Sequence, residues 1–534
     1  MFVRAFAVLC SFLLLWRCVF GWPTLPSYSV LHLSLEHELD GSDQLPNDPT
    51  ALVVSDVSGQ PKWSVAIPHN ASFPLRGNQY REICLQSEEL SIKLSSESRS
   101  LRSMHWRRKG LYYAQDRTFL DVADAEQSGA LPQPEQAAPE DVCSMSLTFA
   151  MDTDDASFGK TLLMLWLSYG LAKKEGRAFF IDDTRWPYGK YTSYFPSPPS
   201  PGCSPPPPHR VVPCPHQARH LLVSAVTARW TFGMAFEKEF TEVRKQGLEK
   251  HRQIYDLVRL GYEDLFKLVG DDASYAQSRI AGTREDATSH GGSVVGIQVR
   301  RGDLHPSEYQ FSRDYLPLER YSAAARSLFR EMLDGSQAKH ENSDLDDFSA
   351  VLEYVNSPLL LASDDPDIFA SPELSQAAAP FAIQKAQERI TLATKATLDQ
   401  SSPVQPIREP GSAYVKHVDE NSGWEGGFYS ALFYSLGNPI SASSSGTIEH
   451  VSSLSGLHTD KGTAVSEQAM RIRELVGRAY LLDLAVLGQS DGTVCAVSSA
   501  ACRILGVMLG WDAVMEGRWV NVDDGRAWSW DGSR

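Results

Sequence analysis

Long apolar runs are scarce in this chain. The clearest is Ala5 to Trp16, which Arg17 interrupts and which falls short of the about 20 apolar residues a membrane span takes. It fits the apolar core of a signal peptide, with Val19-Phe20-Gly21 as a small-residue cleavage site, or an uncleaved signal anchor over residues 1–22. Either form directs the rest of the chain to the secretory lumen. Positive charge is also in deficit, with a formal net charge of -16. That excludes sequence-independent nucleic-acid binding, which needs a positive field facing phosphates, but leaves room for a local basic site. No C-x-x-C pair occurs, which removes the common redox and zinc-ribbon patterns. Glycine-rich phosphate fingerprints are missing as well. Ser157-Phe158-Gly159-Lys160 has a single glycine, too few for a dinucleotide fingerprint or a P-loop. No internal repeat is evident.

What remains is globular in kind, with 42% hydrophobic and 10% aromatic residues over 534 positions, enough for two or three domains. Apart from Cys10 and Cys18 in the leader there are Cys84, Cys143, Cys203, Cys214, Cys495 and Cys502. Spacing suggests Cys203–Cys214 and Cys495–Cys502 as local bridges. One glycosylation sequon, Asn70-Ala71-Ser72, is compatible with the same compartment.

Residues 23–140 show no sustained period and receive no function; their end, Asp124 to Asp141, reads as a flexible connection. From Cys143 apolar runs alternate with helical stretches, the signature of α/β architecture. A first unit, 141–290, has strand Leu147–Met151, a helix through Leu162–Ala172, strand Ala178–Ile181 and a proline-rich loop, Pro196–Pro208. A second unit, 291–534, has strands Val294–Val299, Leu359–Ala362 and Thr493–Val497. Its expected helices are Leu316–Leu333, Leu374–Thr397, Ala464–Leu487 and Ala500–Leu509. Segments 399–411 and 437–463 read as exposed insertions. Two such units suggest a cleft enzyme with its ligand at the carboxyl ends of the strands.

The polar residues at those ends carry the chemistry. Strand Val294–Val299 delivers Arg300-Arg301-Gly302-Asp303. Adjacent strand residues face opposite sides, so one arginine enters the cleft while the other orients the loop. A guanidinium fork matches a diphosphate without a metal, although a solvated charged loop accounts for the tetrapeptide alone. Glu308, among Tyr309, Phe311 and Tyr315, is a candidate general base or an ordinary surface carboxylate. In Ser363-Asp364-Asp365-Pro366, Asp365 suits a helix cap, leaving Asp364 to the crevice. Asp483 falls on the apolar stripe Ala469, Ile472, Val476, Ala479 and needs a partner: purine N–H donors, or Arg478. Ser498 and Ser499, before a helix, form an anion site or a plain cap. Asp152-Thr153-Asp154 matches the short D-x-D metal motif of metal-dependent glycosyltransferases.

In order and spacing these blocks resemble the α-1,6-fucosyltransferase family over roughly residues 145–520, and more loosely the protein O-fucosyltransferases. The matching blocks are Ser157-Phe158-Gly159, Phe179–Ile181, Trp186-Pro187-Tyr188, Gln298-Val-Arg-Arg-Gly-Asp303 with Glu308, Ala362 to Pro366, Leu482-Asp483, Gln489-Ser490-Asp491, and Cys495 to Arg503. The resemblance implies two Rossmann-like domains facing a cleft (GT-B-like), an acceptor-side domain at 141–290 and a nucleotide-sugar domain at 291–534. It implies inverting transfer of fucose from GDP-fucose to a glycan or glycoprotein, without metal or cofactor, in the Golgi lumen. Arg300 would hold the diphosphate, Asp483 the guanine, and Glu308 would deprotonate the acceptor. Arg301, Gln298, Asp303, Asp364, Asp365, Ser498, Ser499 and Tyr188 would line the donor or transfer site. The chain departs from the family in having Leu304 and His305 where a lysine follows the motif aspartate, and Gln298 where a histidine stands. It lacks the coiled-coil stem and SH3-like domain of animal core fucosyltransferases, marking a divergent member. Two other expectations stand beside this one: a catalytically silent member that binds glycan or nucleotide sugar, and a metal-dependent transferase using Asp152 and Asp154 with another donor.

Overall fold

The structure is a computed structural model, and it describes residues 45–97, 112–134, 139, 141–152, 157–289, 292–301, 316–337, 357–378, 381–392, 407–408, 415–416, 466–523 and 525–532. The chain divides into a unit of residues 1–41, outside the described residues, and a unit of residues 42–534 to which everything below belongs.

The fold is mixed α/β with parallel sheets. It begins with an antiparallel hairpin, β1 (Thr50–Ser55) and β2 (Pro61–Ala66). At its turn Asp56 accepts from the backbone N–H groups of Ser58 and Gln60 at 2.8 and 2.9 Å. Helix α1 (Gly77–Glu97) packs on this hairpin, and α2 (Val122–Gln127) follows, capped by Asp121. The stretch that shows no sustained period in sequence thus holds a hairpin and helices, and α2 takes up the start of the segment expected from Asp124 to Asp141 to be a flexible connection, of which residues 135–138 and 140 lie outside the described residues. Both elements take their order from tertiary burial, because no local period announces them.

A three-stranded parallel sheet, in the order β4-β3-β5, comprises β3 (Ser146–Ala150), β4 (Ala178–Asp182) and β5 (His220–Val223). Helix α3 (Phe158–Glu175) connects β3 to β4. Ser157 caps its start by accepting from the Lys160 N–H, and Gly176, at φ 68°, ends it in the left-handed region. Helix α4 (Arg252–Leu265) buries Ile254, Tyr255, Leu257, Val258, Gly261 and Leu265 along one stripe. It crosses α3 at van der Waals distance. A Cβ on Gly170 would lie 2.2 Å from the Leu257 carbonyl oxygen, and one on Gly261 would lie 2.3 Å from the Trp166 Cα. Only hydrogen fits at either position.

After α5 (Gly270–Ser289) comes a five-stranded parallel sheet in the order β12-β11-β6-β7-β8. Its strands are β6 (Val295–Val299), β7 (Pro358–Ser363), β8 (Ala382–Lys385), β11 (Gly492–Cys495) and β12 (Trp519–Asn521). A separate two-residue pair, β9 (Ile407–Arg408) and β10 (Val415–Lys416), is antiparallel. Helices α6 (Leu318–Gln337) and α7 (Pro372–Ala378) belong to the odd-numbered face of β6, where Val295, Ile297 and Val299 share a core with Leu318, Tyr321 and Leu374. Helices α8 (Glu467–Leu487) and α9 (Ala500–Leu509) cover the opposite face. There a Cβ on Gly296 would meet Ser490 and Leu487. Tyr255 donates to the Gly506 carbonyl at 2.8 Å and Arg259 to the Met508 carbonyl at 2.8 Å, so α4 satisfies the carbonyls that end α9.

Two further expectations are corrected. The helix expected over Leu374–Thr397 stops within a few residues and is followed by β8. Pro380 explains this, since a proline removes a helical N–H and disfavours helix at the residue before it. The cysteines also pair differently: Cys84–Cys214 and Cys143–Cys203 replace the expected Cys203–Cys214, while Cys495–Cys502 is as expected. Sequence proximity misled because α1 brings Cys84, 130 residues away, to within 5.4 Å Cα–Cα of Cys214. Residues 1–22 and the insertion 437–463 lie outside the described residues, as does 399–411 apart from β9. No described helix is long and apolar enough to cross a membrane.

Candidate functional site

Order in the five-stranded sheet reverses at β6. The chain leaves β6 for β7 and β8 on one side, then returns to β11 and β12 on the other. In open parallel sheets a crevice forms at such a switch point, beyond the carboxyl ends of the strands. A cavity lies there, lined by Gln298 and Arg300 after β6, Ala362 to Asp364 after β7, and Ala501 in the first turn of α9. Its far wall is α8, through Tyr480, Asp483, Leu484 and Leu487. A neighbouring pocket shares Ser363, Leu392 and Asp483 and adds Lys385 and Gln387.

Strand alternation explains which arginine arrives. Gln298 and Arg300 share the even-numbered face that looks at α8 and line the cavity. Arg301 turns the other way, reaching the Leu316 carbonyl at 3.4 Å and the Glu373 carboxylate at 3.7 Å. Asp364 accepts from the Arg301 backbone N–H at 2.7 Å, so one cavity residue fixes the backbone at the end of β6. Arg300 is 4% exposed, a cation withdrawn from bulk water at the mouth of two strands.

Two groups in this cavity lack what burial demands. The Gln298 Oε1 is buried and has no hydrogen-bond partner among the described residues. Such an acceptor is costly unless something donates to it. Asp483 keeps part of its surface open to the cavity, yet apolar neighbours on α8 deny it solvation. Burial pushes its carboxyl well above the usual carboxylate range. Arg478 is not its partner. That guanidinium grips Asp272 of α5 at 2.6 and 3.0 Å, because it lies on another side of α8.

The remaining candidates divide. Asp365 caps the short turn Pro366–Ala370 by accepting from the Asp367 N–H at 3.1 Å. Ser499 caps α9 by accepting from the Ala501 N–H at 3.2 Å, with Ser498 buried beside it. Tyr188 is fully buried in an aromatic cluster with Phe158 and Trp186, apart from the cavity wall. Asp303, Glu308, Leu304 and His305 lie outside the described residues, as does Asp154. Asp152 lines a small separate pocket with Asp182 and Arg185.

No family model and no curated protein matches the chain. It is similar to crystal structures of NodZ α-1,6-fucosyltransferase, one soaked with GDP-fucose and one co-crystallized with GDP. Identity is 11% in both; the matches cover 68% of this chain and 92% and 91% of theirs, at TM-scores of 0.26 and 0.24. A selenomethionine form of the fucosyltransferase NodZ from Bradyrhizobium matches at 12% identity over 46% of this chain and 78% of its own, with a TM-score of 0.20. At these TM-scores the likeness carries no functional weight.

Sequence reasoning missed Tyr480, Leu484, Leu487, Leu392 and the Lys385–Gln387 edge of the cavity. Tyr480 and Leu487 were within reach, since they stand three and four positions from Asp483 on the same helical face. Leu392 follows β8, inside the segment expected to be helix, and had no signal.

Proposed function

We propose that this chain is a fucosyltransferase that takes GDP-fucose as donor and a glycan or glycoprotein as acceptor, with inversion and without a metal. The observation that carries this is the meeting of Gln298, Arg300, Asp364 and Asp483, from three separate elements, around one cavity at the switch point of the sheet. Three of them supply what a purine nucleoside diphosphate sugar needs, and Asp364 ties the strand end that carries Arg300. Arg300 brings a buried guanidinium fork for the diphosphate. Asp483, once ionised, accepts from the ring and amino N–H groups of guanine, and the orphaned Gln298 acceptor takes a sugar hydroxyl.

In this proposal Glu308 removes the acceptor hydroxyl proton. The oxygen then attacks the anomeric carbon as the bond to the β-phosphate breaks, and GDP leaves with its charge held by Arg300. Asp303 supports the transfer site. Arg301, Asp365, Ser498, Ser499 and Tyr188 act by positioning the strand ends and turns around it. The halves 141–290 and 291–534 then serve acceptor and donor in a GT-B-like arrangement, and the enzyme works in the secretory pathway, in the Golgi lumen.

Leu304, in place of the family's lysine, favours a second proposal: a silent member that binds GDP-fucose and does not turn it over. GDP release from GDP-fucose over a panel of glycan acceptors separates the two. Turnover abolished by Arg300→Ala and Glu308→Gln supports the enzyme; GDP binding without turnover on any acceptor supports the silent form. Absence of GDP binding sinks both. A metal-dependent transferase using Asp152 and Asp154 requires that EDTA abolish turnover.

A further inference from the structure

Away from the cavity, three segments bring His69, Glu126 and His209 together. His69 follows β2, Glu126 sits in α2, and His209 lies in the short turn Pro208–Arg210. Their candidate ligand atoms all lie within 4.8 Å of one another. We propose that these three residues bind one divalent transition-metal ion of the zinc type, clamping the N-terminal hairpin and α2 to the turn ahead of β5.

Glu126 is 3% exposed, and a buried carboxylate must be paired or ligated. Arg210 places both Nε and Nη2 on the same oxygen, Oε2, at 2.7 and 2.6 Å. That leaves Oε1 turned towards His209, whose Nε2 stands 3.0 Å away. The two atoms are close but not aligned: Nε2 is buried and has no hydrogen-bond partner of acceptable geometry among the described residues. Ligands on a tetrahedral zinc, each about 2.0–2.1 Å from the metal, are separated by about 3.3 Å. A nitrogen and an oxygen 3.0 Å apart are near that spacing already. The His69 and His209 rings meet edge to face with centroids 4.8 Å apart, and His69 is exposed. Bringing its nitrogen into the ligand set takes a shift of at most about 1.5 Å.

Two imidazoles and one carboxylate suit zinc, copper or nickel rather than magnesium or calcium, which prefer oxygen alone. Three protein ligands leave a fourth tetrahedral position for water. The Arg210–Oε2 contact plays the part of an outer partner that fixes the ligating carboxylate. None of the three residues lines the nucleotide cavity, so the site is independent of donor binding and its failure would not touch that proposal.

The test uses the full chain, stripped with a chelator, dialysed and titrated with Zn²⁺, with uptake read by calorimetry and elemental analysis. One Zn²⁺ per chain is expected, with a rise in Tm, and Co²⁺ in its place should show the visible bands of a tetrahedral site. His69→Ala and His209→Gln should each weaken uptake about tenfold or more, while His251→Ala leaves it unchanged. Because His69 is exposed, its variant should keep the metal-free Tm of the wild type. If a variant fails to fold, the wild-type stoichiometry and the Co²⁺ spectrum still decide. No stoichiometric Zn²⁺ uptake, or uptake indifferent to both substitutions, would overturn the proposal and leave an ordinary His–Glu–Arg ion-pair cluster.

Discussion

Replacing Asp483 with asparagine should make the protein more stable and a worse nucleotide binder at once. The carboxyl is desolvated on α8, and its folded pKa lies above its unfolded value. Between those values the folded state holds a proton that the unfolded chain releases. The contribution of Asp483 to stability is therefore full below the ordinary carboxylate range, and is lost as pH rises through the raised folded pKa. A neutral isostere escapes that loss, so Asp483→Asn should gain about 1 kcal/mol at pH 7, discounted for the part of the side chain that meets the cavity. In a protein of this size the gain reads as a Tm rise of at most about 2 °C. GDP binding should move the other way. Ionised Asp483 offers two acceptor oxygens to guanine N–H donors, whereas asparagine offers one acceptor and sets an N–H against the other donor. Losing one charge-assisted hydrogen bond costs about 1.5–3 kcal/mol, or roughly tenfold to a hundredfold in Kd. Calorimetry on both proteins from pH 5 to 8 gives a third reading. Wild-type affinity should climb with pH and binding should release a proton, while the variant shows neither. A variant that binds GDP like wild type, or one that is less stable, refutes the role given to Asp483.

Other expectations follow from single contacts. Gly170→Ala and Gly261→Ala force a methyl into the α3–α4 crossing, and each should destabilise by about 3 kcal/mol or more in urea unfolding. Loop entropy ranks the disulfides: opening Cys84–Cys214, which spans 130 residues, should cost about 5 kcal/mol, and opening Cys495–Cys502, which spans 7, about 2 kcal/mol, measured on paired Cys→Ala variants. Asp364→Ala strips the Arg301 N–H of its 2.7 Å acceptor, so it should lower stability by about 1–2 kcal/mol and weaken GDP binding through the displaced end of β6. Unchanged GDP affinity in a folded Asp364→Ala protein would show that the strand end needs no such tie.

Local signals recovered most of the described strands and helices beyond residue 291, and the reasons are physical. Buried parallel strands read as unbroken apolar runs, so β6 and β7 were visible with their polar ends, Arg300 and Asp364. The stripe on α8 was visible because Ala469, Val476 and Ala479 recur at helical spacing, with Asp483 in phase. The seven-residue separation of Cys495 and Cys502 spans one strand end and one helix start, so their bridge was legible too. What stayed hidden depends on distant partners. The β1–β2 hairpin and α1 are ordered by packing and by Cys84 reaching Cys214, which no local pattern encodes. Helix α7 and β8 were merged into one helix because alanines outweighed Pro380 in the pattern. Asp483 had two possible partners on paper, and the side of α8 taken by Arg478, which bonds Asp272, removes one of them.

The central claim is that the cavity at β6, β7 and α8 recognises a guanosine diphosphate sugar. The most direct measurement is a thermal-shift and calorimetric screen of GDP-, UDP-, ADP- and CMP-linked donors against wild type, Arg300→Ala and Asp483→Asn. GDP and GDP-fucose alone should stabilise the wild type, Arg300→Ala should lose that response, and Asp483→Asn should blunt it and narrow the preference for guanine. Equal stabilisation by UDP or CMP donors, or a GDP response untouched by Arg300→Ala, would contradict it.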